Sequence, residues 1–159
     1  MDSIDLFFDA CRTGKNHVIA ELLSINPALV NARDVKGFTP LIIAVYNHQP
    51  ETARLLIENG ADVNAQDAAG NTALMGVAFK GYTDVAELLI QSGADVNLRN
   101  GNGAPALTFA ATFGRTAVAE VLLKHGALVG LPDARGKSSL DHAVIQENEQ
   151  MVELLEKSI

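Results

Sequence analysis

The chain has 159 residues, a formal net charge of −7, one cysteine and no tryptophan. A single cysteine excludes an internal disulfide framework and favours a reducing compartment, while the excess of acids disfavours generic nucleic-acid binding. Acids near the amino terminus and the lack of any stretch of about 20 apolar residues predict a cytoplasmic protein without a leader or a membrane span.

The dominant feature of the sequence is an internal repeat with a period of 33 residues. A unit of this size cannot bury its own apolar face, so copies must stack into a continuous core. The period divides the chain at residues 3–33, 34–66, 67–99, 100–132 and 133–159. A shift by one period superimposes Gly37 on Gly70, Gly103 and Gly136, Leu41 on Leu74, Leu107 and Leu140, and Asp34 on Asp67, Asn100 and Asp133.

The first repeat is divergent, as expected of an end unit with one neighbour. Ser3 is predicted to cap its first helix and Gly14 to end it. The spacing of the apolar residues predicts two inward stripes. They are Leu6, Phe7, Ala10 and Cys11 on the first helix, and Val18, Ile19, Leu22 and Leu23 on the second.

The second repeat has the most regular pattern, and the third keeps it. Thr39 is placed to cap the first helix, with Pro40 at the first helical position, where its missing N–H has no partner to lose. Pro50 is placed in the same way at the start of the second helix. Gly60 then ends that helix where a left-handed backbone is needed.

The fourth and fifth repeats depart from this pattern in opposite ways. The fourth has Asn100 in place of Asp and Ala104-Pro105-Ala106 in place of Thr-Pro, so its first helix lacks a capping hydroxyl, a loss of about 1 kcal/mol. We therefore expect residues 100–159 to be the least stable part. The fifth restores a capping box with Ser138 and Asp141. Its second helix is predicted to carry Glu147, Glu149, Glu153 and Glu156 as a polar outer face.

These motifs resemble the ankyrin-repeat family. The family pattern of an Asp, a Gly, a Thr-Pro-Leu turn and Gly-Ala-Asp-Val-Asn is matched by Asp34, Gly37, Thr39-Pro40-Leu41 and Gly60-Ala61-Asp62-Val63-Asn64. The resemblance implies an all-α solenoid of about five helix-turn-helix repeats joined by hairpin-like turns, forming one domain over residues 1–159. It says little about chemistry, because a fold does not fix a function.

No catalytic, cofactor or metal constellation is found in the sequence. The segment from Gly101 to Ala106 fits the letters of a dinucleotide fingerprint but lies in a turn between repeats rather than after a buried strand. The four histidines show no metal-ligand spacing, and the pair of Asp141 and His142 has no placed nucleophile. In the repeat alignment Cys11 falls at the position of Ala44, Val77, Ala110 and Ala143. It is therefore expected to be buried. We therefore predict a non-enzymatic protein with no cofactor and no metal.

The resemblance implies that partners bind a concave face made of the turns and the exposed side of the first helices. Seven basic residues and no acid fall at those positions, which leaves a formal charge of −14 on the rest of the chain. The seven are Arg12, Arg33, Lys36, Lys80, Arg99, Arg135 and Lys137. Four aromatic residues lie on or next to the same face. The predicted partner-binding residues are Arg33, Lys36, Phe38, Tyr46, Asn71, Phe79, Lys80, Arg99 and Phe113.

The sequence favours a monomeric module that binds a protein with an acidic or mixed surface. A narrower alternative is an inhibitor or immunity-type protein that neutralises a toxin or enzyme. No residue in the sequence favours this alternative over the general one. A nucleic-acid binder using the positive face is disfavoured by the net charge and would show affinity that falls steeply with salt. The same residues also allow a purely structural interpretation. In it, the lysine and arginine residues of the turns serve solubility, and some of the aromatic residues, Phe79 above all, serve packing.

Overall fold

The computed structural model describes residues 2–159, and within that range it contains helices and turns but no strand. Each repeat contributes two short antiparallel helices. The helices are α1 (Ser3–Thr13), α2 (Asn16–Ile25), α3 (Pro40–Tyr46), α4 (Pro50–Glu58), α5 (Ala73–Lys80), α6 (Thr83–Gln91), α7 (Ala106–Thr112), α8 (Thr116–Lys124), α9 (Ser139–Ile145) and α10 (Glu149–Glu156). A short 3₁₀ helix, Pro27–Asn31, follows α2.

The helices form two layers around one continuous core. The first helices of the repeats, α1, α3, α5, α7 and α9, pack side by side, and the second helices pack behind them. One apolar cluster extends from Phe7 in the first repeat to Leu155 in the last. Cys11 is fully buried within this cluster, as predicted from its alignment with small apolar residues of the other repeats. The stacking predicted from the period and the all-α architecture implied by the family resemblance are therefore confirmed.

The helix ends follow the predicted chemistry in most repeats. Thr39 accepts the backbone N–H of Ile42, with Pro40 first in the helix. Ser138 and Asp141 exchange the two hydrogen bonds of a capping box. Pro105 is the N-cap residue of α7 and provides no side-chain hydrogen bond, which is the missing hydroxyl expected in the fourth repeat.

Three local predictions were wrong. Asp2, not Ser3, caps α1, because its carboxylate accepts the N–H of Asp5 at 2.8 Å. Leu6 lies outside the core with 40 % of its surface exposed, since the buried stripe of α1 needs only Phe7, Ala10 and Cys11. Glu147 precedes α10, with a positive φ of 56° in the turn after α9.

Asparagine side chains link the first four repeats to one another at a constant spacing. The amide of Asn31 donates to the carbonyl of Gly60 and accepts the N–H of Asp62. Asn64 and Asn97 repeat both contacts one and two units later, to Gly93 and Asp95 and to Gly126 and Leu128. Gly130 occupies the next position of this column and has no side chain, so the series does not continue between the last two repeats.

Candidate functional site: a groove along the first helices

A groove of about 370 Å³ opens on the face formed by the first helices of repeats two to four. Its walls come from α3, α5 and α7 and from the turn that precedes α5. Most of the lining is apolar and includes the side chains of Phe38, Ile42, Tyr46, Met75, Phe79 and Phe109. Ligand sites in proteins are typically concave and mainly apolar with a few placed polar groups.

The groove exists because residue 76 has no side chain. The same helix position holds Ile43 in the second repeat, Phe109 in the fourth and His142 in the fifth, and all four residues lie in the fourth position of their helices. Ile43 and Phe109 line the two sides of the groove, with Gly76 between them. A Cβ at Gly76 would lie 3.4 Å from Cδ1 of Tyr46. Glycine therefore leaves a gap at a helix position that larger side chains occupy in repeats two, four and five. It also makes the helix less stable.

Three aromatic rings form a row along the groove. The rings of Tyr46 and Phe79 are nearly parallel at 9°, with centroids 6.2 Å apart. Phe79 meets Phe113 edge to face, with centroids 4.6 Å apart and an angle of 76°. The side chain of Lys80 places its Nζ 4.5 Å from the centroid of the Tyr46 ring. Tyr46 is 40 % exposed and Phe113 46 % exposed, whereas Phe79 is half-buried between them.

The groove ends at a pair of polar residues, Asp67 and Asn71. Asp67 Oδ1 accepts the backbone N–H groups of Ala69 and Asn71, both at 2.9 Å, and within residues 2–159 no donor reaches Asp67 Oδ2. The Nδ2 of Asn100 donates to the Oδ1 of Asn71 at 2.8 Å.

The orientation of the Asn71 amide follows from its neighbour. Asn100 Oδ1 accepts two backbone N–H groups, from Asn102 and Ala104. Its Nδ2 must therefore face Asn71, and Asn71 must present its own Oδ1 in return. The Nδ2 of Asn71 is left as an unused donor in the lining of the groove, since no acceptor in the described part of the chain takes it.

Comparison with known families agrees with this architecture. A family profile described as "Ankyrin repeats (3 copies)" matches residues 6–67 and 74–159, and a second, "Ankyrin repeats (many copies)", matches residues 48–90. The chain belongs to the ankyrin-repeat family. Ankyrin repeats are generally protein–protein interaction modules and are typically not enzymes. A search of curated proteins found no significant match to this chain.

The ankyrin array brings together six of the nine predicted partner-binding residues. Phe38, Tyr46, Asn71 and Phe79 line the groove, and Lys80 lies over Tyr46. Phe113 extends the row by its contact with Phe79. Their role in binding stays a prediction. Sequence reasoning missed Gly76 and Asp67 as parts of the site, although the 33-residue alignment already sets Gly76 against Ile43 and Phe109.

The predicted basic residues of this face divide into two kinds. The guanidinium of Arg33 donates to the carbonyls of Gly37 and Gln66, and that of Arg99 donates to the carbonyl of Pro132. Gln66 makes the corresponding bonds between them, to Gly70 and Arg99. These arginines therefore join adjacent repeats. Lys36 and Lys80, by contrast, form no ion pair within residues 2–159.

Outside the groove, Cys11 and His48 have surroundings typical of residues with a structural role. Burial raises the pKa of the Cys11 thiol to about 12, which leaves it protonated and a poor nucleophile. His48 stacks on Tyr82 with centroids 4.1 Å apart, and its Nε2 lies 3.1 Å from the carboxylate of Asp84. In the described residues no group of three or more His, Cys, Asp or Glu is arranged to hold a metal ion, and no helix there has the length and apolarity to cross a membrane.

Proposed function

We propose that this chain binds a partner protein through the groove and the aromatic row of Tyr46, Phe79 and Phe113. The observation that carries the proposal is an apolar groove, open to solvent, whose rim consists of exposed and mutually packed aromatic rings. Aromatic side chains dominate binding energy in many interfaces because they bury much area with few rotatable bonds. A groove formed by packed helices also orders little on binding, so less entropy is lost.

The charges around the groove favour a partner of mixed rather than uniformly acidic surface. Lys36 and Lys80 present ammonium groups without a carboxylate partner in residues 2–159, and these suit acids at the rim of the interface. Asp67 lines the groove itself, and it suits a donor on the segment that enters. The partner should therefore offer an apolar, donor-bearing side chain flanked by acidic residues.

The test is affinity capture from an extract of the source cells with the double variant Tyr46→Ala/Phe113→Ala. Tyr46 is 40 % exposed and Phe113 46 % exposed, so the fold should survive their truncation. Phe79 packs between them and is left unchanged. We expect the captured protein to be lost, or its affinity to fall about tenfold or more. Cross-links from the wild-type complex should map to α3 and α5.

The matched control is Ile25→Ala/Leu128→Ala, which removes two exposed apolar side chains outside the groove. It should retain the same protein as the wild type. Equal capture by the wild type and by the folded Tyr46→Ala/Phe113→Ala variant would place the binding surface elsewhere and end the proposal.

A further inference from the structure

The last repeat contains a contact that is missing at the groove. His142, in helix α9, lies 2.7 Å through its Nε2 from Oδ2 of Asp133 at the start of the same repeat. Asp133 Oδ1 meanwhile accepts the backbone N–H groups of Arg135 and Lys137. One carboxylate oxygen thus holds the turn, and the other holds an imidazole.

Asp67 is built in the same way, but its second oxygen has no donor. Its Oδ1 holds the turn through Ala69 and Asn71, at the same two spacings as in the last repeat. Because the turns match, Asp67 Oδ2 faces the helix position that His142 occupies in α9. That position in α5 is Gly76, so the carboxylate oxygen faces the open gap of the groove.

We propose that the groove receives a histidine side chain of the partner, whose imidazole fills the gap at Gly76 and donates its ring N–H to Asp67 Oδ2. The inference rests on the proposed function and names the partner group at that site. The surroundings suit a flat ring, since Ile43 and Phe109 form the two walls and Tyr46 adds an aromatic face. The last repeat shows that a carboxylate of this turn accepts an imidazole in this place.

The donor left on Asn71 adds a second recognition element. Its Nδ2 lines the groove beside Asp67 and points away from Asn100. A main-chain carbonyl next to the incoming histidine is the acceptor that suits it. Peptide groups inside a helix already bond to one another, so the segment that enters should be a loop or an extended stretch rather than a helix interior.

The test uses the full chain and small ring compounds, followed by the backbone amide signals in nuclear magnetic resonance. The probe is 4-methylimidazole, which is the histidine side chain alone, compared with toluene and 3-methylindole. We expect 4-methylimidazole to shift the amides of Asp67, Asn71 and Gly76 with a dissociation constant of about millimolar, within the ceiling for so few atoms. Toluene should bind more weakly.

Two variants separate recognition from folding. Asp67→Asn keeps the Oδ1 that holds the turn, because Asn100 makes the same two bonds in the next repeat, but it replaces Oδ2 with a donor. At about pH 6, where most of the probe carries a proton on both ring nitrogens and can only donate, this variant should be folded and should bind 4-methylimidazole about tenfold or more weakly, with toluene binding unchanged. Gly76→His should place its own imidazole on Asp67, abolish probe binding and raise the melting temperature, whereas a merely structural glycine would lose stability.

The outcomes that overturn the inference are distinct from those that overturn the proposed function. Absence of shifts with 4-methylimidazole, equal affinity for toluene, preference for 3-methylindole, or unchanged affinity in Asp67→Asn would each refute recognition of an imidazole. A captured partner that is lost in Tyr46→Ala/Phe113→Ala but retained by Asp67→Asn would leave the groove as the binding site and end only the histidine assignment.

Discussion

At the scale of single residues, similar side chains on one face have different roles. Arg33 and Lys36 are three positions apart and were both predicted to bind a partner, yet Arg33 donates to two backbone carbonyls and Lys36 to none through its ammonium. A sequence counts both as positive charge. Only the geometry separates a cation that holds adjacent repeats together from one that is free to meet a ligand.

Arg33→Ala should lower the free energy of unfolding by about 1 kcal/mol, because it removes two hydrogen bonds from a charged donor at an exposed site. Lys36→Ala should change it by no more than about 0.5 kcal/mol, as is usual for an exposed side chain without partners. Urea denaturation of the two variants measures the difference. Equal losses would show that Arg33 does not stabilise the junction between repeats.

The pair of Asp133 and His142 predicts a stability that depends on pH. The hydrogen bond from His142, followed by the backbone N–H of Lys137, lowers the pKa of Asp133 to about 2. A depressed carboxylate pKa gives stability that is present above the unfolded value of about 4 and is lost as pH falls towards 2. The excess stability of the wild type over His142→Ala should therefore shrink over that window.

Urea denaturation at several pH values between 2 and 6 checks this expectation. His17→Ala, which removes an exposed histidine from α2, is the control. The difference in unfolding free energy between the wild type and this variant should stay constant over the same pH range. A difference between wild type and His142→Ala that stayed constant down to pH 2 would contradict the assignment.

At the scale of helices, the first helices of the repeats have only seven to eleven residues. Isolated helices of that length are unstable in water, so each depends on packing against its neighbours, and all but α7 also have a side-chain cap. Thr39→Ala should cost about 1 kcal/mol of unfolding free energy, because the N–H of Ile42 loses its partner. Thr39→Ser keeps the hydroxyl and should recover most of that loss, as thermal or urea denaturation would show.

The helices could be predicted from sequence more fully than the groove. The period fixed the helix pairs, and the threonine, proline and glycine positions fixed their ends, because these effects are local. The groove forms because Gly76 has no side chain. The effect of this glycine is visible only in the folded array, where Ile43 and Phe109 lie on either side of it. The repeat aligned Asp67 with Asp34 and Asp133, but the role of its second carboxylate oxygen emerges only from the comparison with Asp133 and His142.

At the scale of the whole molecule, stability should vary along the array. Repeat arrays behave as chains of units coupled to their nearest neighbours. The fourth repeat lacks a side-chain cap on α7, and the asparagine contacts stop at Gly130. Amides of α9 and α10 should therefore exchange hydrogen faster than those of α3 to α6. Greatest protection in residues 100–159 would contradict this gradient.

The asparagine contacts also predict how far the array unfolds as one unit. Asn64 joins the second repeat to the third by two hydrogen bonds, to Gly93 and to Asp95. Loss of both should cost about 1–3 kcal/mol, and because each repeat touches only its neighbours, this loss falls on a single junction in the middle. Asn64→Ala should therefore broaden the denaturant transition and lower its m-value, as the two halves begin to unfold separately.

Asn31→Ala is the matched control, since Asn31 makes the same two bonds to Gly60 and Asp62 at the junction of the first and second repeats. That change should release one repeat from the end and leave the main transition sharp. Hydrogen exchange would then show protection lost in α1 and α2 alone. If both variants gave one sharp transition shifted equally, coupling would extend beyond neighbouring repeats, and the groove across repeats two to four would belong to a single cooperative unit.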